Sequence, residues 1–145
     1  MQTSTRYWID EVLIKSPFAA PLGVEVAAAE MDRVLLRLPF RADLATVGSI
    51  VHGGAIATLI DVAGAAASAS GITGDDVTGG ATSHLTIAYL APADGRDIEA
   101  EAVVVHRTRS QTVSDVSVRD ADGKLVAKGT VISRIFRVSS AAAKV

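Results

Sequence analysis

Between Gly53 and Gly74 the chain carries one charged side chain, Asp61. A run that long and that weakly polar belongs either in a bilayer or inside a folded domain. Its make-up disfavours the bilayer, because Ala, Gly, Ser and Thr dominate it. An aspartate at mid-membrane costs about 2.5–3.5 kcal/mol on insertion scales, and alanine offsets little of that. The run therefore predicts a buried helix over Ala55–Ser70, closed by Gly71.

A helix that is apolar or small on every side has to be covered, and the rest of the chain supplies the cover. Val24–Ala29 and Arg33–Leu38 read as a hairpin. In the second of these, Val34, Leu36 and Leu38 recur with the two-residue period of a strand. After the helix, Thr82–Leu90, Ile98–His106, Gln111–Arg119 and Leu125–Arg137 are rich in Val, Ile and Thr. Short links bearing Pro92, Asp94-Gly95 and Asp122-Gly123 imply antiparallel neighbours. The expected class is α+β, an antiparallel sheet wrapped around one long central helix. The first sixteen residues suggest a short amphipathic helix over 4–15, capped by Ser4 or Thr5 and ended by Ser16-Pro17. Residues 138–145 read as a frayed tail. At 145 residues the chain is expected to form a single domain that buries roughly two-thirds of its unfolded surface.

Composition removes several function classes. A formal charge of −2 gives no general pull toward nucleic acid or anionic lipid. With no cysteine there is no thiolate metal site and no cysteine nucleophile. Arg6, Asp10, Glu11 and Lys15 interrupt the N-terminal segment, against a signal peptide. The expectation is a cytoplasmic protein with no membrane or nucleic-acid partner.

The chemistry converges on the start of the helix. Gly53-Gly54 lets a ligand approach the backbone and leaves first-turn N–H groups unpaired. Those groups, at the positive end of the helix dipole, can polarise a carbonyl or hold an oxyanion. Taken singly, Gly-Gly is a tight turn, His52 a loop histidine and Asp61 a carboxylate bonded to some neighbour. Together they are harder to set aside. Asp61 lies about two turns into the helix, too far to serve the carbonyl held at its first turn. If both belong to one site, a second copy of the chain completes it, which makes a homodimer part of the mechanism.

The run His52-Gly53-Gly54-Ala55-Ile56-Ala57-Thr58-Leu59-Ile60-Asp61-Val62-Ala63 resembles the signature of the hotdog-fold acyl-CoA thioesterases, in particular the PaaI-like group of the 4-hydroxybenzoyl-CoA thioesterase superfamily. Leu85–Ala93 and Arg119–Ala127 are similar to that family's strand and Pro turn and to its last hairpin. The resemblance spans about residues 20–137. It implies hydrolysis of an acyl-CoA without metal or cofactor, coenzyme A entering only as part of the substrate, in a site between two subunits of a homodimer, with a dimer of dimers (a homotetramer) expected. In that picture the Gly53 amide polarises the carbonyl, with Gly54 beside it, and His52 orients the group. Asp61 of the partner acts as general base or nucleophile, and Thr82 positions the water. Arg107, Arg109 and Ser110, in the turn between two strands, are candidate partners of the CoA phosphates.

The chain departs from the family's pattern in two places. It contains no Asn, where relatives often carry one upstream of the His; Thr46 stands nearest that position. His84 sits where an Asp is common. Two other readings are a non-catalytic acyl-CoA-binding sensor or accessory subunit, and an enoyl-thioester hydratase. Retention of Asp61 argues against the first, and its place within the helix argues against the second.

Overall fold

In a computed structural model of the chain, which describes residues 1–138, the run of low charge forms helix α2 (Gly53–Ser70). It starts two residues earlier than expected because His52, not a Ser or Thr, caps it with its side chain. Six strands follow the expected positions: β1 (Glu25–Glu30), β2 (Arg33–Leu38), β3 (Val77–Tyr89), β4 (Ile98–Arg107), β5 (Gln111–Asp120) and β6 (Leu125–Arg137). They form one antiparallel sheet in the order β1-β2-β4-β5-β6-β3. Strand β3 begins five residues before the expected Thr82, since Gly79 and Gly80 pair with Phe136 and Ile135 of β6. Of the expected tail over 138–145 only Val138 is among the described residues, and its N–H donates to the Asp76 carbonyl at 2.9 Å.

The sheet curls around α2, as the apolar character of the helix requires. Leu59, Ile60, Ala63, Ala66 and Ala67 are fully buried against an inner face that includes Leu36, Ala100, Ala102, Val116, Val118 and Val131. Small residues make this contact close. A Cβ on Gly64 would lie 2.5 Å from Cβ of Val131, and one on Gly129 would lie 2.8 Å from Cγ2 of Ile60. The cover is not complete, contrary to the expectation that the helix is enclosed on every side. Thr58, Asp61 and Ala65 are half-buried and Gly54 is exposed. Their spacing of i, i+4, i+7 and i+11 makes one open stripe. By length and mean hydropathy (1.3) α2 matches a membrane span, yet most of it is buried against the sheet, as a core helix is.

Two arrangements hold the ends of α2. At the C-terminus, Arg107 donates to the carbonyls of Ala67 (3.3 Å) and Ser68 (2.8 Å) and to Asp32 Oδ1 (2.7 Å). Asp32 turns the β1–β2 hairpin with φ +63° and donates its own N–H to Ser70 Oγ at 2.8 Å. At the N-terminus, the Tyr89 hydroxyl donates to the Gly53 carbonyl at 2.7 Å.

The N-terminal segment departs from a plain amphipathic helix. Helix α1 (Thr3–Tyr7) is preceded by Gln2, with no side-chain cap, and continues as a π-helical turn, Trp8–Leu13. Ile9 in that turn is fully buried and docks the segment onto the core.

Candidate active site

The backbone before α2 makes a tight hairpin. Thr46 N–H donates to the Ile50 carbonyl at 2.8 Å, with Gly48 at the tip in the left-handed region (φ +57°). The His52 N–H then bonds the Leu44 carbonyl at 2.8 Å. That hairpin aims the imidazole back over the helix start, where Nδ1 accepts the Gly54 N–H at 2.8 Å. A neutral imidazole that accepts at Nδ1 carries its proton on Nε2. The residue is exposed, and Nε2–H has no partner among the described residues. The Gly53 N–H has no hydrogen-bond partner among the described residues, and Ala55 and Ile56 bond the His52 carbonyl. One unpaired donor at the positive end of an eighteen-residue helix is therefore available to a ligand oxygen.

Asp61 sits on the open stripe of α2, and Thr82 of β3 reaches it: Thr82 Oγ1 donates to Asp61 Oδ1 at 2.6 Å. Oδ2 has no partner among the described residues. Both residues line a cavity of about 430 Å³ between α2, β3, β6 and the N-terminal segment. Ser133, the register partner of Thr82, lines the same cavity with a buried hydroxyl that has no partner.

The expected residues thus fall into three places. His52, Gly53 and Gly54 lie together at the helix start. Asp61 and Thr82 lie together some nine residues along, about 13 Å at 1.5 Å per residue, so one chain does not bring the two groups to one carbonyl. Arg107, Arg109 and Ser110 lie at the opposite end of α2. There Arg107 donates to helix carbonyls and to Asp32, which gives it a structural task. Arg109 pairs with Asp76 at 2.5 Å, and the Ser110 carbonyl accepts the Ile135 N–H at 2.8 Å. Thr46 stays exposed in its hairpin. His84 pairs with Ile132 in the register while Thr82 pairs with buried Ser133, so His84 faces away from Asp61 and contacts Thr86 Oγ1 at 2.5 Å.

Two features escape sequence reasoning. Tyr89 stands in the strand that carries the resemblance, but nothing in its spacing tells that its hydroxyl holds the Gly53 peptide. The Asp76 carboxylate is the electrostatic centre of the far end. Burial pulls its pKa up, and the hydrogen bond from Arg137 (2.6 Å), a backbone contact and the charges of Arg109 and Arg137 outweigh that and hold it below the ordinary value. Among the described residues no three His, Asp or Glu side chains converge as a metal site would require.

Comparison with known proteins gives this geometry a context. Residues 48–127 match the family model described as the thioesterase superfamily. A Halobacterium salinarum protein with a provisional esterase name is 38% identical over 125 residues, covering 80% of this chain and 82% of its own length. The PaaI protein of E. coli, from the phenylacetic acid degradation operon, superposes with a TM-score of 0.74 at 24% identity over 86% of each chain. A hypothetical thioesterase protein of Streptococcus pneumoniae, solved with coenzyme A, gives a TM-score of 0.70 at 21% identity, over 81% of this chain and 88% of that one. The two structures share the sheet-wrapped helix.

Proposed function

The chain belongs to the thioesterase superfamily, in a hotdog fold of the PaaI-like kind, and from that premise we propose that it hydrolyses an acyl-CoA thioester to the free acid and CoA. The observation that carries the reading is the Thr82–Asp61 hydrogen bond at an apolar cavity. A hydroxyl that holds Oδ1 leaves Oδ2 aimed and unpaired, which is what a base needs and a structural aspartate does not. Coenzyme A in the streptococcal neighbour supports the choice of thiol.

In the proposed step, Asp61 Oδ2 takes a proton from water as the water oxygen bonds to the carbonyl carbon. The carbonyl oxygen gathers charge against the Gly53 N–H of the other subunit, with His52 Nε2–H beside it. The C–S bond then breaks and the CoA sulfur leaves with the proton. Direct attack by Asp61, through an anhydride that water opens, uses the same groups.

The 13 Å gap within a chain is bridged by pairing two chains, and β3 supplies the means. It is an edge strand of thirteen residues, exposed along most of its length, with Leu85 and Tyr89 39% and 54% exposed. Unpaired edges of that length are ordinarily covered by another strand.

The deciding experiment is thiol release by purified Asp61→Asn protein. Loss of general-base catalysis lowers kcat roughly 10²–10⁴-fold with the circular dichroism and sedimentation of the wild type. Wild-type turnover by Asp61→Asn, or an active monomer in sedimentation at assay concentration, ends the proposal.

A further inference from the structure

The cavity beside Asp61 has a direction. Helix α2 runs from Asp61 past Ala65 and Ala69 to its end at Ser70, Ile72 follows, and Asp61, Ala65, Ala69 and Ile72 all line it. The chain then turns, and β3 returns from Val77 past Gly79 and Gly80 to Thr82, lining the opposite wall. Thr82 meets Asp61 again at 2.6 Å. The cavity is therefore a slot with the reacting pair at one end and the α2–β3 connection at the other. Its two walls measure it independently. The nine helical steps from Asp61 to Ser70 span about 14 Å at 1.5 Å each, with Ile72 just beyond, and five residues of strand span about 16 Å at 3.3 Å each. A volume of about 430 Å³ drawn out over that length is narrow. Ala65 and Ala69 on the helical wall and Gly79, Gly80 and Ala81 on the strand wall keep it smooth.

The third wall is the N-terminal segment. A π-helical turn bonds i to i+5, as Ile14 N–H does to the Ile9 carbonyl at 3.4 Å. That wider turn carries residues i, i+4 and i+5 on one face. Trp8, Val12 and Leu13 accordingly all line the slot, while fully buried Ile9 anchors the segment in the core. The indole is the largest group on any wall, and the exposed Tyr7 next to it takes no part.

A saturated chain advances about 1.3 Å per bond for a C–C length of about 1.5 Å, so roughly twelve carbons fill the slot. We infer that the slot takes an unbranched aliphatic acyl chain of about eight to twelve carbons, and that Trp8, with Val12 and Leu13, sets its width against branched and aryl acyl groups. This rests on the thioesterase reading above, since Asp61 and Thr82 fix which end holds the thioester.

Trp8 is the sole tryptophan, so its emission reports occupancy without any turnover. The full-length protein is titrated with CoA and with S-butyl-, S-octyl- and S-dodecyl-CoA, thioethers that do not hydrolyse. Octyl and dodecyl chains are expected to shift Trp8 emission, and CoA alone to leave it unchanged. In parallel, kcat/KM is measured for octanoyl-CoA and phenylacetyl-CoA with wild type, Trp8→Ala, Trp8→Phe and Tyr7→Ala. Trp8→Ala is expected to lower the octanoyl-to-phenylacetyl ratio tenfold or more, with Trp8→Phe near wild type and Tyr7→Ala unchanged. Emission that ignores the alkyl chain, or a folded Trp8→Ala protein with the wild-type ratio, overturns the inference. A chain-length-dependent Trp8 signal with no thiol release from any acyl-CoA removes the hydrolysis reading and leaves the slot. Thiol release with a silent Trp8 does the reverse.

Discussion

Gly64→Ala tests how α2 is held, because two effects of known size oppose each other. Helix propensity favours Ala over Gly by about 1 kcal/mol in a helix interior. Packing opposes it. The new Cβ would stand 2.5 Å from Cβ of Val131 and 2.6 and 2.7 Å from its two methyls. A Cβ is fixed by its backbone, so no rotamer relieves the shortest contact, and α2 has to lift by about 1 Å to regain van der Waals distance. Overpacking of a filled core costs about 1–3 kcal/mol, and a contact between two backbone-fixed atoms belongs at the upper end. The net effect is a destabilisation of about 1–2 kcal/mol, or a Tm lower by roughly 3–6 °C in a chain of this size. Asp61 lies one helical turn before Gly64, so the lift also stretches the bond from Thr82. Under the proposed mechanism Asp61 is a reacting group, and a displacement of about 1 Å in such a group costs on the order of 10² in rate. The assay is thermal melting at fixed protein concentration together with thiol release. Adding Val131→Ala removes the methyls and keeps the Cβ, so it restores only part of the loss. A Gly64→Ala protein as stable as wild type, or more stable, refutes the close docking and leaves propensity in charge.

Tyr89→Phe removes the donor to the Gly53 carbonyl; a neutral hydrogen bond is worth about 0.5–1.5 kcal/mol, so Tm falls by a few degrees and kcat/KM falls with it as the helix start loosens. Kinetics that match wild type would mean the Gly53 peptide is held without the tyrosine. Asp76→Asn tests the far end of α2 through pH. Because the folded pKa of Asp76 is depressed, its contribution is present above the ordinary carboxylate pKa of about 4 and is lost as pH falls through the lower folded value. The Tm gap between wild type and Asp76→Asn should be steady from pH 5 to 7 and close below pH 4. A gap that persists at pH 2.5 assigns it to packing.

Helix α2 was legible in the sequence because a missing property, charge, extends over more than twenty residues and leaves few structures able to hold it. The strands were legible where β-branched residues alternate, and the start of β3 was not. Gly79 and Gly80 carry no strand preference of their own; their pairing comes from Phe136 and Ile135, more than fifty residues away. The Asp61 carboxylate, the Gly53 N–H at the helix start and the distance between them were legible from residue type and spacing. The structural contacts of Arg107 were hidden for a physical reason. A basic turn advertises charge, while the carbonyls of Ala67 and Ser68 that consume it belong to a helix forty residues upstream. The π-helical turn at Trp8 was hidden as well, since the same apolar spacing fits an ordinary helix within a residue.

Helix α2 is clamped at both ends, by Tyr89 at Gly53 and by Arg107 at Ala67 and Ser68. A rod fixed this way is a spacer of constant length, and no bending within one chain can close the distance between donor and base. Under the proposed mechanism, activity per chain then becomes a property of the population. It stays constant while chains are paired and falls away on dilution below the dissociation constant of the pair, so the cellular abundance of the protein sets not only how much enzyme there is but whether each chain counts as enzyme at all.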